Sequence, residues 1–485
     1  MSKKKIDSLY ELEREYMDIS PKEFLYNRQG PWPQPSANHP FGEVPGVLHI
    51  PFVEWLWWWI KVGARYIHDW FFWWPVALFK AWRFGGLHQL TDEKFAEFFY
   101  QTCYAKYLCE EMSDRNREIF KDYIQADKKY HIIDFSAMEL VVPENGYNTD
   151  KTVTLVEFDG KSGRPVAIFM KDYVVDPSDG DLFLLGKYMC MVGASVHINV
   201  AEHPKLHFPM DAINAITKTA VPKNHILFQL LYPHFEITLK LDYQVLNSPM
   251  SLLENKWWMM YSPFPGTSES LRDLTVIGYN GIKGNPSYNK YVYPLNGPRN
   301  VPGDFGVFHQ SYYPVFVEFA RNVLAEIPKG DYFVTIWANY IHQQMPSFPD
   351  GEKIWQDDNF AKAVGVLLWD LTIGHAVDHR TYSEIPVCYN PMCLKVKAPE
   401  YKTPGFKLDL KKAVSTYDQM RWILASRLFY ETWNVANLME INYGFSLPIL
   451  NEHVTQFRKK MNETEQSLKC KNLMPVSEIP TSIQY

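Results

Sequence analysis

The sequence predicts a mainly α protein: one large helical domain over residues 1–485 with a small β-hairpin element. Two observations carry this. Beyond Leu182 the chain is mostly long apolar runs of helical periodicity, broken by loops rich in Gly, Pro and Asn at 263–305 and 384–406. Strand-type alternation is confined to residues 151–176, and no internal repeat, low-complexity tract or linker divides the chain.

The first residues, Met-Ser-Lys-Lys-Lys and a charged continuation, contain no apolar stretch of the secretory type, so a cytoplasmic location is expected. Residues 28–51, rich in Pro and Gly, read as an extended arm. Residues 52–83 hold Trp55, Trp57, Trp58, Trp59, Trp70, Trp73, Trp74 and Trp82, half of the 16 tryptophans. Lys61, Arg65, Asp69 and Lys80 interrupt this run, so no uncharged stretch reaches the roughly 18 residues a spanning helix needs. Two readings stand: short aromatic helices lying in a membrane interface, where indole rings prefer the headgroup level, or an aromatic lid on the protein's own core. Residues 91–127 read as an amphipathic helix, with Phe95, Phe98, Phe99, Tyr104, Tyr107 and Leu108 at helical spacing. Residues 151–176 read as two strands turning at Asp159-Gly160.

Composition removes whole classes. Apolar residues are 46% and charged residues 21% of 485, which excludes fibres and wholesale disorder. A formal charge of −6 lacks the basic face that phosphate neutralisation requires, so no nucleic-acid partner is expected. Six cysteines with no C-x-x-C spacing read as reduced, mostly buried thiols. Aromatic residues reach 16%, enough to line a large apolar cavity or to lie against a membrane.

Chemistry concentrates in histidine pairs. His203 and His207, and again His375 and His379, stand four residues apart, so on a helix each pair projects from one face and offers two imidazoles to one metal ion. Pro204 complicates the first pair, because it removes a backbone donor. Unrelated packed histidines reach the same spacing by chance. No phosphate-cradling loop, no G-x-S-x-G elbow and no H-E-x-x-H motif is present. Asp378, beside His379, reads as a solvated or capping acid, with support of a ligand as the alternative.

Three stretches carry a resemblance. His225-Ile-Leu-Phe-Gln-Leu-Leu-Tyr-Pro-His-Phe235, with His207 upstream at the matching interval, resembles the metal-ligand helix of lipoxygenases and the H-P-x-x-x-L-L-x-P-H-[FY] stretch that comes after it. Trp369-Asp-Leu-Thr-Ile-Gly-His375-Ala-Val-Asp-His379 is similar to that family's second ligand helix, H-A-A-x-[NHS]. Ile479-Pro-Thr-Ser-Ile-Gln-Tyr485 resembles its I-P-N-S-[IV]-x-I terminus. The likeness covers roughly residues 90–485, without a counterpart of the amino-terminal barrel that many members carry.

The resemblance implies a mononuclear non-haem iron, or manganese, held by His207, His375, His379, a first-helix partner and the main-chain carboxylate of Tyr485. In strict register the first-helix position falls on Glu202; His203 is the favoured ligand and Glu202 the alternative. The site usually occupied by a small oxygen-steering residue falls on Val245. The implied activity is that of a dioxygenase: hydrogen abstraction from a polyunsaturated fatty acid or related lipophilic polyene, then addition of O2. Peripheral membrane contact belongs to the interface reading of residues 52–83. Two rivals stand beside it. One is hydroxylation, isomerisation or rearrangement of a specialised metabolite on the same fold. The other is a peripheral lipid-binding protein with a structural metal.

Overall fold

The computed structural model describes residues 63–235, 263–431 and 436–483, together with positions 26–27, 46–47, 56, 60 and 253. Strands β1 (Tyr26–Asn27) and β2 (Gly46–Val47) pair antiparallel. The remainder of the arm expected at 28–51, and residues 52–62 of the aromatic run apart from Leu56 and Ile60, lie outside the described residues. Helices α1 (Ala64–His68) and α2 (Trp74–Phe84) are joined by a π turn at Asp69–Trp73. Gly85 ends this rod with φ 60°, a left-handed cap that glycine adopts without Cβ strain.

The helix expected over 91–127 is instead three pieces. α3 (Asp92–Gln101) starts at Thr91, whose hydroxyl accepts from Lys94 N–H. It ends because Thr102 turns extended: its hydroxyl donates to the Phe98 carbonyl and accepts from Tyr104 N–H, so a side chain takes over backbone bonding. A 3₁₀ turn (Cys103–Tyr107) and α4 (Asp114–Ile119) come next. The aromatic periodicity thus served two separate elements that share one core.

Four strands form one antiparallel sheet: β3 (Lys129–Asp134), β4 (Thr152–Phe158), β5 (Gly163–Met170) and β6 (Tyr173–Val175), in that order. The 151–176 hairpin is present as read, and β3 adds to it from a segment to which no element is assigned from sequence.

The rest is helical: α5 (Asp181–His197), α6 (His203–Ala220), α7 (Ile226–Leu231), α8 (Ser268–Asn280), α9 (Gly303–Leu324), α10 (Tyr332–Gln344), α11 (Asn359–Trp369), α12 (His375–Ser383), α13 (Thr416–Tyr430) and α14 (Leu450–Gln466). α8 lies inside the stretch read as loop at 263–305. Thr267 caps it by accepting from Ser270 N–H, and Leu271, Leu274 and Tyr279 bury one face. The flanking Gly and Pro residues masked that periodicity.

π turns at Ile198–Glu202 and Asp370–Gly374 join α5 to α6 and α11 to α12. The two resulting rods, Asp181–Lys218 and Asn359–Ser383, are long and apolar enough to cross a membrane, yet 94% of each apolar window is buried in the protein, as in core helices. One contiguous hydrophobic cluster runs from Leu87 to Ile483 around them. At Gly278 on α8 an added Cβ would lie 2.6 Å from the Ala201 carbonyl, so only glycine lets α8 pack this closely on the first π turn. All six cysteines are free, four of them buried.

Candidate metal centre

Each histidine pair begins one residue after a π turn. Such a turn inserts one residue into the helix and rephases the residues beyond it, and it recurs at functional sites. After it, ordinary α spacing puts His203 and His207 on one face of α6, and His375 and His379 on one face of α12. Pro204 falls directly behind the first π turn, where the regular hydrogen-bond ladder is already interrupted, so its missing N–H is tolerated.

The two faces meet. His375 Nε2 lies 3.1 Å from His203 Nε2 and 3.2 Å from His207 Nε2, and His379 Nε2 lies 2.8 Å from His203 Nε2. His207, His375 and His379 are buried and His203 half-buried. Burial, then the neighbouring imidazoles, holds His203, His375 and His379 well below the usual imidazole pKa. They are therefore neutral, each able to present one Nε2 lone pair. Their Nε2 atoms and that of His207 crowd together where the two faces meet. Two nitrogens about 2.1 Å from a common ion and at right angles lie about 3.0 Å apart, which is the separation observed. His203, His207 and His375 offer ligand atoms within 4.8 Å of one another, a donor set that fits a metal ion, and His379 adjoins it through His203 at 2.8 Å.

Glu202 turns away from this cluster. It pairs with Lys205 at 2.6 Å. Burial alone would raise its pKa, but Lys205, Arg299 and Lys106 together pull the carboxyl down to about 2. The structure thus places His203, and not Glu202, beside the other three histidines. Tyr485 and Val245 lie outside the described residues. The tail leading to Tyr485 is described as far as Ile483 and threads inward: Ile479 and Ile483 are fully buried. His234, from the family-like stretch, bonds the Thr481 carbonyl through Nδ1 at 2.6 Å and the Tyr443 hydroxyl through Nε2 at 3.2 Å. That histidine fastens the tail to the helical body.

Sequence reasoning missed the supporting groups. Asp378 is neither solvated nor a cap: it is buried and ion-paired with Lys106, 272 residues away, which no local signal could reveal. Burial lifts Asp378 to about 6, against the pull of Lys106, and lifts Asp370 to about 7. Tyr430, on α13, sets its ring 5.1 Å from that of His379 and donates its hydroxyl to Asn199 on the first π turn. A cavity of about 200 Å³ adjoins the ligand helices, lined by Lys106, Glu202, Lys205, Arg299, His309 and Asp370 among others.

No family sequence model matches the chain, and no curated protein sequence does. Solved structures do. A coral 8R-lipoxygenase superposes with a TM-score of 0.67 at 13% identity, covering 98% of this chain and 80% of that one. A lipoxygenase deletion variant crystallised anaerobically with arachidonate gives 0.65 at 12% identity over 98% and 81%. A fungal lipoxygenase from Fusarium graminearum gives 0.61 at 14% identity over 81% and 80%. Backbone similarity over nearly the whole chain, at identities this low, speaks for architecture: the chain has a lipoxygenase-like fold.

Proposed function

We propose that the chain is a metal-dependent oxidoreductase of the lipoxygenase type, acting on a polyunsaturated fatty acid or a related lipophilic polyene. The observation that carries the proposal is the close approach of the His203, His207, His375 and His379 Nε2 atoms on two π-interrupted helices. His203, His207, His375 and His379 would hold the ion, with the Tyr485 carboxylate completing the set. An iron or manganese ion there supplies the one-electron acceptor that hydrogen abstraction from a doubly allylic carbon needs. The protein's share is positional. Burial keeps His203, His375 and His379 unprotonated, and the rods fix all four imidazoles before any ion arrives. Leu206, Val301, Phe305 and Trp369 add apolar wall to the adjoining cavity, and the Tyr430 ring bounds one side of His379. In net terms one C–H bond breaks, one C–O and one O–H bond form, and O2 takes two electrons and the hydrogen from the substrate to become a hydroperoxide.

The test is metal quantification of purified protein, then oxygen uptake with a panel of polyenes. About one equivalent of iron or manganese, with conjugated-diene absorbance growing as oxygen falls, supports the reading. Full metal with an isomerised or hydroxylated product would move the function to the first rival. Full metal with no turnover would leave a structural ion, and absence of metal would remove the proposal.

A further inference from the structure

The rod Ala64–Phe84 is docked inside out. Its protein-facing side carries its smallest residues and one ion pair: Ala77, Ala81, Arg65 and Asp69 are each at most 5% exposed. Asp69 receives Arg427 of α13 at 3.3 Å, with Arg65 at 3.8 Å. The outward side carries the rings. Phe71, Phe72, Phe79 and Trp82 are 57–70% exposed, and Ile67 and Leu78 continue the same stripe at steps of three or four residues. Nine of the twenty exposed large hydrophobic side chains among the described residues fall within 67–84. At about 200 Å² per aromatic residue, the exposed rings alone present on the order of 600 Å². A monomer rarely leaves a contiguous apolar patch of that size uncovered.

The chemistry of the face selects its occupant. Between 64 and 84 the only acid is Asp69, which is buried, whereas His68, Lys80 and Arg83 are exposed. A second copy related by a two-fold axis would set these cations against themselves. An anionic lipid surface would neutralise them, and tryptophan prefers the headgroup boundary. The rod cannot span a bilayer, because its inner side is committed to α13. It can lie in the interface.

We propose that this face seats on a phospholipid surface, its rings at the headgroup–acyl boundary and Lys80 and Arg83 among the phosphates. The contact does not depend on the metal. Its use is supplied by α13, which meets the rod through Arg427 and the histidine cluster through Tyr430, three residues on. A lipophilic substrate, on the function proposed above, would then arrive one helix away from the candidate metal centre.

The experiment is co-sedimentation of the full chain with phosphatidylcholine vesicles, alone and with one third phosphatidylserine. The double variant Phe72→Ser with Trp82→Ser should partition at least tenfold less than wild type on both. Lys80→Gln with Arg83→Gln should lose several-fold on the anionic vesicles only. Tyr332→Ser with Tyr401→Ser, exposed rings elsewhere, should match wild type. Quenching of tryptophan by brominated acyl chains tests the wild-type protein without any substitution. Absent quenching, unchanged partitioning of the aromatic variant, or an equal loss in the tyrosine control would overturn the proposal. So would a wild type that ignores vesicles and sediments as a dimer that the aromatic variant dissolves.

Discussion

The rod Ala64–Phe84 and the two histidine-bearing rods are built alike and used in opposite ways. Each is a strongly apolar helix interrupted by one π turn. The histidine rods lie in the core, wrapped in hydrophobic neighbours, and hide polar imidazoles at their contact. The aromatic rod lies at the surface, hides an Arg–Asp–Arg cluster against α13 and turns its rings outward. Apolar composition therefore does not decide burial. The deciding factor is which side finds a partner: the histidine rods can be covered on all sides, while the aromatic rod is covered only along its alanines and ion pairs.

The contrast can be broken where it is sharpest. His375→Ala should leave the candidate ion with an incomplete set of donors, so metal content should fall and any turnover should drop by orders of magnitude. Elemental analysis beside an oxygen-uptake assay reads both. Normal metal and rate in this variant and in His207→Ala would dissolve the functional half of the comparison. The next effect is purely energetic. Leu185→Ala, on the fully buried part of α5, should cost about 2–5 kcal/mol in denaturant unfolding, whereas Leu78→Ala on the outward side of α2 should cost about 0.5 kcal/mol or less. Equal costs would mean that the aromatic rod is packed as a lid after all.

Polar burial gives two further tests. Lys106→Met leaves Asp378 without its cation in the core and should destabilise by about 3 kcal/mol, with Lys106→Met plus Asp378→Leu recovering part of the loss. A double variant worse than the single one would show that the pair is not what holds this part of α12. His234 supplies the pH test. Burial depresses its pKa to about 4, against about 6.5 in the unfolded chain. Between those values the unfolded state takes up a proton that the folded state refuses, so falling pH costs wild type up to about 1.4 kcal/mol per unit from this group. His234→Gln lacks that penalty, so its stability deficit at pH 7 should narrow as pH drops from 6.5 to 4.5. A deficit that stays constant over this window would contradict a neutral, tail-fastening histidine.

Much of the site was legible because short-range geometry suffices for it. Two H-x-x-x-H pairs declare two helix faces, and the order of three family-like stretches declares the fold they serve. The choice of His203 over Glu202 was weighed from spacing, but the phase of α6 is set by the π turn at Ile198–Glu202, and Gly278 on α8 packs against that turn from 77 residues away in the chain. The break at Thr102 and the helix at 268–280 escaped for a related reason. A side-chain hydrogen bond and a single cap outweighed the periodicity around them.

The sequence by itself determined the mainly helical class, the hairpin, the identity of the clustered imidazoles and the aromatic density of residues 52–83, since each is a matter of residue type and spacing. Only the tertiary structure decided that the two histidine pairs face one another at hydrogen-bond distance, that Asp378 belongs to Lys106, and that the aromatic rod shows its rings to the outside. Those facts depend on which surfaces meet across hundreds of residues. Burial free energy is shared over the whole core, and no window of the chain contains it.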